Sequence, residues 1–206
     1  MGSRTVGELP PRRRRALLES AAREFAGAGY QRASLNRVIR ANGMSKSSFY
    51  HYFDSKEALF DAVVTEAGRA LVEAVDLPDA TELAGPDFWD RIARLLDQLL
   101  ALAERGELFT SLGRMFYLPD APAGEDGALS RARAGVDDWL TRALEAGRSA
   151  GAVRDDLPPS LQARLALAVL WAMDEWSVTH LPELDADELG RLAAAQLDAI
   201  RRLLSP

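Results

Sequence analysis

Residues 43–57 of this 206-residue chain read GMSKSSFYHYFDSKE. The segment begins in a turn, because the Asn and Gly within residues 42–44 tolerate positive φ angles. Ser45 then supplies the small polar side chain that caps a helix. The aromatic residues that follow are spaced to share the inner face of this helix: Phe49, Tyr52 and Phe53. The pattern predicts a short helix that starts directly after a tight turn.

A second short helix is predicted just before this turn. Ser34 is placed to cap it, and Leu35, Val38 and Ile39 supply its apolar positions. Two short helices joined by a glycine-containing turn form a helix-turn-helix. Such a unit places its second helix in a DNA major groove about 12 Å wide, which requires short or flexible polar side chains near the start of that helix. Residues 45–48, Ser-Lys-Ser-Ser, meet this requirement.

Helical periodicity also organises the rest of the chain. A first helix opens at Pro10-Pro11 and is ended by Gly27 and Gly29, and a capping box in residues 54–57 opens a fourth helix. No alternating strand pattern of useful length is present, so the predicted fold is all-α, and residues 120–127 form a polar loop. The further helical segments are 87–104, 107–117, 128–150, 160–180 and 186–204.

The charge of the chain is divided unevenly. The formal net charge is -6, but residues 1–60 hold eleven Arg or Lys against five Asp or Glu, a net of +6. Residues 61–206 hold fourteen basic residues against twenty-six acidic ones, a net of -12. A basic head on an acidic body is expected when one end of a protein meets a polyanion and the other does not.

The composition argues against several other classes of protein. With no cysteine and two histidines, the chain cannot build a disulfide framework or a zinc site of three His or Cys ligands. Neither lysine follows a glycine, as a P-loop requires, and we expect no Gly-x-Ser-x-Gly elbow, cofactor or metal site. No apolar run approaches the roughly 20 residues of a membrane span. An all-α enzyme is the rival class, without a motif to support it.

The stretch from Arg14 to Leu59 resembles the N-terminal domain of the TetR (tetracycline-repressor-like) family of bacterial transcriptional regulators. The resemblance implies a three-helix helix-turn-helix domain over residues 1–57. A fourth helix would join it to a C-terminal helical domain, residues 58–206, for ligand binding and dimerisation. The matching positions are Ala21-Ala22-x-x-Phe25, Gly29-Tyr30, Ser34-Leu35-x-x-Val38 and residues 43–57 with Leu59 in one register.

The resemblance also implies that the helix after Ser45 reads DNA. Its first three side chains would face base edges, and the aromatic rings at positions 50 and 51 would touch phosphate or a thymine methyl at the groove edge. The alternative for these rings is a core position at 50 and an ordinary surface position at 51. The implied contacts at this helix are Ser45, Lys46, Ser47, Ser48, Tyr50 and His51.

Phosphate contacts are implied at two helix starts and in an arginine run. Ser34 and Lys56 would hold phosphates at the starts of the second and fourth helices, where free N–H groups and the helix dipole favour anions. The arginines would reach a neighbouring groove as an N-terminal arm. A disordered charge run and an ordinary surface lysine are the alternatives. The run consists of Arg12, Arg13, Arg14 and Arg15.

Three positions depart from the family pattern. Ile39 and Asn42 stand where the family usually has alanine, and Ser47 replaces a usual glycine or other small residue. Ile39 adds bulk at the contact between the two short helices. We expect Ser47 to alter which base is read.

Aromatic side chains are frequent after residue 86. Each fits a core position singly, but pockets for drug- or metabolite-sized ligands are lined in this way. Asp174, between Trp171 and Trp176, would pair with a cationic ligand or remain a surface carboxylate. The expected pocket residues are Trp89, Phe109, Met115, Phe116, Trp139, Trp171 and Asp174.

The last two helical segments predict a homodimer. Segment 160–180 is apolar on two faces, as expected for a helix that is fully buried or shared with a partner subunit. The resemblance implies a four-helix interface made from the last two helices of each subunit. The expected interface residues are Leu165, Ala168, Ala172, Trp176, Leu192, Gln196, Leu197 and Ile200.

Together these features predict a cytoplasmic DNA-binding transcriptional regulator. We expect a repressor that a small hydrophobic ligand releases from a palindromic operator, with no membrane contact. A helix-turn-helix protein that needs no small ligand, and responds to a protein partner or acts as an activator, is the alternative.

Overall fold

The computed structural model of the protein describes residues 9–105, 107–122, 124, 126–180 and 183–206. All regular elements in these residues are helices, which confirms the predicted all-α fold. A 3₁₀ helix, Ala80–Leu83, precedes α5. The α-helices are α1 (Pro11–Ala28), α2 (Leu35–Ala41), α3 (Lys46–Tyr52), α4 (Lys56–Ala74), α5 (Phe88–Arg105), α6 (Glu107–Phe116), α7 (Ala128–Ser149), α8 (Pro159–His180) and α9 (Ala186–Leu204).

The first helix buries the apolar face that its sequence predicts. Pro11 occupies the first turn, where its missing N–H costs no hydrogen bond. Gly29 caps the C-terminus of the helix: its φ of 78° is in the left-handed region, and its N–H donates to the carbonyl of Phe25 at 2.9 Å. Gly27 lies inside the helix. The buried face consists of Leu17, Leu18, Ala21, Ala22 and Phe25.

The fourth helix begins slightly later than predicted. Its first residue is Lys56, and the Ser55 hydroxyl accepts a hydrogen bond of 2.9 Å from the backbone N–H of Ala58. The cap is therefore Ser55, one position beyond the Asp54 that opens the predicted capping box.

The described residues divide into two compact units. Unit 1 contains those up to Leu71 and those within Arg105–Ala132. Its core joins buried side chains of α1 to α4 with Met115 from the end of α6 and Leu129 from the start of α7. α6 packs along α1. The predicted functional boundary after residue 57 falls inside this unit, in the first turn of α4.

Unit 2 contains Val72–Glu104 and the described residues of Arg133–Pro206. Within it α8 packs against α9, and two indole N–H groups bond to loop carbonyls. Trp89 donates to Ala152 and Trp139 donates to Pro78, each at 3.0 Å. The buried core consists of Leu83, Phe88, Ala143, Leu144, Val153, Ala163, Ala166, Ile200 and Leu204.

Candidate nucleic-acid interface

The turn between α2 and α3 has the geometry that the sequence predicts. Gly43 has a φ of 62°, in the region that favours glycine. Its N–H donates to the Arg40 carbonyl and that of Met44 donates to the Ile39 carbonyl, both at 3.1 Å. The Asn42 side chain donates to the Val38 carbonyl at 2.8 Å. The turn therefore closes the end of α2 with local hydrogen bonds.

Serine caps both helices of the motif, as predicted. The Ser34 hydroxyl accepts from the Arg37 N–H at 3.4 Å, and the Ser45 hydroxyl accepts from the Ser48 N–H at 3.1 Å. The Ser45 hydroxyl also lies 3.1 Å from that of Ser47. These bonds satisfy backbone donors that the first turn of a helix leaves unpaired.

One aromatic side chain of α3 is buried in the core, and others on the same helix are exposed to solvent. Phe49 is completely buried, and its ring stacks on Phe53 with centroids 5.5 Å apart. Tyr50 contacts Phe49 edge-on yet is 50 % exposed. Lys46, Ser47 and His51 are exposed, Ser48 and Tyr52 are half-buried. The helix thus presents a polar and aromatic outer face on a fixed inner anchor.

An ion pair joins the end of α1 to α2. The Arg37 guanidinium donates from Nε to both carboxylate oxygens of Glu24, at 3.0 and 2.9 Å. The backbone N–H of Ser34 donates to the same carboxylate at 2.7 Å. Arg37 above all keeps the pKa of Glu24 below its usual value. The predicted phosphate position at Ser34 therefore has its backbone N–H already bonded within the protein.

Lys56 is bonded to the turn between α1 and α2. Its ammonium group donates to the Gln31 carbonyl at 2.9 Å and lies 5.0 Å from the ring centroid of Tyr30. An ammonium group has three donors, so this bond leaves capacity for a phosphate oxygen. Asp120 reaches the same turn, and its carboxylate accepts from the N–H groups of Tyr30 and Gln31.

The arginine run is helical and partly neutralised. All four arginines lie in the first turns of α1. Arg14 bonds to Glu66, which also pairs with Arg69 at 2.6 Å, and Arg15 pairs with Glu19 at 2.9 Å. Arg69 first, then Arg14, lowers the pKa of Glu66. The run is therefore helical and not disordered, and Arg12 and Arg13 are exposed in its first turn.

The predicted pocket residues fall in both packing units. Met115 is completely buried in the core of unit 1. A surface pocket of about 450 Å³ in unit 2 is lined by other residues, among them Arg148, Arg154 and Asp156. Unit 1 contains Phe109, Met115 and Phe116, and unit 2 contains Trp89, Trp139, Trp171 and Asp174.

The predicted dimer residues on α8 are exposed as one stripe. Leu165 is 39 % exposed and Trp176 is 46 % exposed, with the exposed residues Ala168 and Ala172 between them. Leu161, 45 % exposed, extends the stripe towards the start of the helix.

On α9 the predicted dimer residues are less accessible. Leu192 and Leu197 are half-buried, and the Gln196 amide donates to the Ser177 hydroxyl at 2.9 Å. Ile200 is 7 % exposed because it packs into the core of unit 2, which leaves little of its side chain for a partner.

The sequence does contain one Gly-x-Ser-x-Gly spacing, although no nucleophile elbow was expected. Residues 147–151 read GRSAG, which does have the Gly-x-Ser-x-Gly spacing. Ser149 is the last residue of α7, and its hydroxyl donates to the Glu145 carbonyl at 3.0 Å. A nucleophile elbow needs a sharp turn from a strand into a helix, so this serine is not placed as one.

Comparison with known proteins identifies the family. The profile described as bacterial regulatory proteins, tetR family, matches residues 17–63. The HTH-type transcriptional repressor Rv1474c of Mycobacterium tuberculosis is 33 % identical over 151 residues, which cover 71 % of this chain and 72 % of that protein. The chain belongs to the TetR family. As a TetR-family member it is a DNA-binding transcriptional regulator and not an enzyme.

Two proteins of known structure share this fold. AibR, in complex with isovaleryl coenzyme A and operator DNA, superposes with a TM-score of 0.67 at 22 % identity, covering 90 % of this chain and 96 % of that one. SmeT in its triclosan complex gives a TM-score of 0.67 at 20 % identity, covering 95 % of this chain and 92 % of that one. Within the described residues, no helix is both long and apolar enough to cross a membrane.

Proposed function

We propose that this TetR-family regulator is a cytoplasmic, homodimeric repressor that binds a near-palindromic operator through α3. Residues 1–57 bind DNA, and residues 58–206 form the dimer and bind a small hydrophobic effector that releases the protein from the operator. The observation that carries the proposal is the outer face of α3, where exposed polar and aromatic side chains lie on a helix anchored by the buried Phe49.

The chemistry of α3 suits base recognition. The Lys46 ammonium and the Ser47 and Ser48 hydroxyls donate hydrogen bonds to base edges, and Tyr50 and His51 reach the edge of the groove. The net charge of +6 in residues 1–60 attracts the phosphate backbone, where Arg12 and Arg13 add contacts. AibR, which shares the fold, has been crystallised with its operator DNA.

Phosphate binding at the starts of the second and fourth helices uses the hydrogen-bond donors that are not bonded within the protein. The Ser34 hydroxyl accepts from Arg37 and can still donate its own hydrogen. Lys56 keeps two of its three donors when it bonds to Gln31. These residues position the protein on the backbone and do not read sequence.

The exposed stripe on α8 supports a homodimer. A surface that shows Leu161, Leu165 and Trp176 on one helix is expected to be covered by a partner. A two-fold interface built on this stripe, together with Leu192 and Leu197 of α9, gives two copies of α3. Their separation must match one helical turn of DNA, about 34–36 Å.

A small hydrophobic effector fits the indole-rich part of unit 2. The indole N–H groups of Trp89 and Trp139 each donate to a backbone carbonyl. The polar group of each ring is therefore satisfied, and the ring faces are suited to apolar contact. Trp171 of the same unit is half-buried and Asp174 is exposed. Two proteins of this fold bind small molecules, isovaleryl coenzyme A in AibR and triclosan in SmeT.

The test starts with duplexes that the purified protein selects from a random pool. Binding of the selected duplex is compared for the wild type, Tyr50→Ala and, as a control that alters an exposed residue of unit 2, Arg94→Ala. We expect weaker binding for Tyr50→Ala alone, with unchanged helix content and mass. Equal binding by all three proteins would refute the role of the α3 face.

The effector is tested by thermal shift against a panel of small apolar metabolites, because a ligand that binds only the folded protein raises its Tm. We expect at least one such compound to release the selected duplex. A compound that binds saturably without changing operator affinity would contradict ligand-controlled release.

A further inference from the structure

A carboxylate from the segment after α6 holds the turn that precedes α2. Asp120 accepts hydrogen bonds from the backbone N–H of Tyr30 at 3.0 Å and of Gln31 at 2.7 Å. The two partners are 90 and 89 positions away in sequence. A carboxylate is a strong acceptor for backbone N–H groups, so the pair of bonds fixes both the position and the direction of the turn.

The turn that Asp120 holds also packs against the helices around it. Tyr30 stacks its ring on Phe25 and meets Phe60 edge-on, with centroids 6.0 and 5.4 Å apart. A Cβ placed on Gly29 would lie 3.3 Å from the Asp120 carboxylate, which leaves little room for any other side chain there. The backbone of the turn and the carboxylate are therefore in direct contact.

Residues on both sides of Asp120 contact other parts of unit 1. Met115, at the end of α6, is completely buried in the core shared with α1 to α4. At the other end, the N–H of Ala128 donates to the Asp61 side chain of α4 at 3.1 Å. A shift of the segment must break these contacts or move the turn with it.

We propose that Asp120 is a positioning residue for the DNA interface. It couples the segment between α6 and α7 to the turn before α2, so that operator affinity depends on whether the Asp120 bonds are formed. The inference rests on the proposed function and adds a control point for it, since anything that displaces this segment frees the turn that sets the direction of α2.

The bonds are present throughout the neutral range. The pKa of Asp120 lies below its usual value of 3.8. The hydrogen bond from the Gln31 N–H is the main cause, and the bond from the Tyr30 N–H lowers the pKa further. Because the folded-state pKa is lowered, the contribution of the bonds is complete above the ordinary pKa of the carboxyl and is lost only as the pH falls through the lowered value. The coupling is therefore controlled by displacement and not by pH near neutrality.

The test uses Asp120→Ala, Asp120→Asn and the matched control Asp126→Ala. The control removes one carboxylate from the same loop. Arg131 bonds to the backbone carbonyl of Asp126, and this acceptor is kept in Asp126→Ala. Affinity is measured for the duplex that the wild type selects, at a temperature far below unfolding. We expect about two- to tenfold weaker binding for Asp120→Ala, a smaller loss for Asp120→Asn, which keeps one carbonyl acceptor, and wild-type affinity for Asp126→Ala.

Amide hydrogen exchange gives a second readout. In Asp120→Ala we expect faster exchange at Tyr30 and Gln31, with unchanged protection in the middle of α1. A lower Tm with wild-type affinity of the folded protein would mean that Asp120 only stabilises the fold, and would overturn the inference. If the wild type selects no duplex, the proposed function fails. If it does and Asp120→Ala binds like Asp126→Ala, the inference alone fails.

Discussion

Among single residues, Lys46, Ser47 and Ser48 are the ones we propose to contact base edges. Lys46 and Ser47 are exposed, and the buried ring of Phe49 directly behind them fixes the rotation of α3. A base-edge contact contributes about 1–3 kcal/mol of discrimination, whereas a phosphate contact strengthens binding to every sequence alike. The two kinds of contact can therefore be separated by comparing selected and random duplexes.

We predict that Lys46→Ala reduces affinity for the selected duplex more than affinity for a random duplex of the same length. The measurement is a pair of titrations at one salt concentration, with Arg94→Ala as the control. An equal loss on both duplexes would make Lys46 a phosphate contact.

The ion pair of Glu24 and Arg37 predicts a specific pH dependence of stability. Since the pKa of Glu24 is lowered in the folded protein, with Arg37 as the first cause, the pair stabilises the fold above the unfolded-state pKa. This stabilisation is lost as the pH falls through the lowered folded-state value. We predict that Glu24→Gln lowers the free energy of unfolding at neutral pH and that the difference from the wild type shrinks on acidification. A constant difference in urea unfolding from neutral pH to about pH 3 would contradict the assignment.

Residues whose partners are close in sequence were predictable, and those with distant partners were not. Ser34 and Ser45 cap helices that start at the next residue, so their role follows from local patterns. Arg37 lies 13 positions from Glu24, and Asp120 lies 90 positions from Tyr30. Nothing in the polar sequence of residues 120–127 indicates which backbone N–H groups donate to the Asp120 carboxylate.

At the scale of elements, helix limits followed the sequence because turn residues mark them. The predicted segments 128–150 and 186–204 correspond to α7 and α9 within one residue. The 3₁₀ helix Ala80–Leu83 was missed, although Asp79 and Glu82 form a complete capping box. Four residues are too few to show a helical period, which explains the omission.

We predict that the cap of α3 matters for both stability and function. Ser45→Ala leaves the Ser48 N–H without its acceptor and should cost about 1 kcal/mol of folding free energy. Because the cap also orients the first turn of α3, operator binding should weaken. The control is Ser149→Ala, which removes a hydroxyl that donates to the Glu145 carbonyl within α7. Equal stability of the two variants in urea unfolding would contradict the role of the cap.

At the scale of the whole molecule, the sequence identified the family but not the packing partners of every helix. It did not indicate that α6 packs along α1 or that Met115 lies in the core of unit 1. A helix with an apolar face does not reveal from its period which neighbour covers that face. The pocket and interface residues accordingly stay predictions.

The exposed stripe on α8 predicts the effect of a charge on assembly. Leu165→Glu would place a carboxylate in the proposed dimer interface, so we expect the protein mass in light scattering to fall to that of one subunit. Val136→Glu is the matched control, because Val136 on α7 is 43 % exposed and Leu165 is 39 % exposed. A dimer that persists in Leu165→Glu would place the interface elsewhere.

Selective binding of DNA by the basic first sixty residues through α3 can be measured in a salt titration. Affinity is measured for the selected duplex and for a scrambled duplex of equal length, across a series of salt concentrations. We predict tighter binding of the selected duplex at every concentration, with log affinity falling by about 0.9 per phosphate contact for each tenfold rise in salt. Equal affinity for both duplexes, or affinity that does not change with salt, would refute sequence-selective binding by this domain.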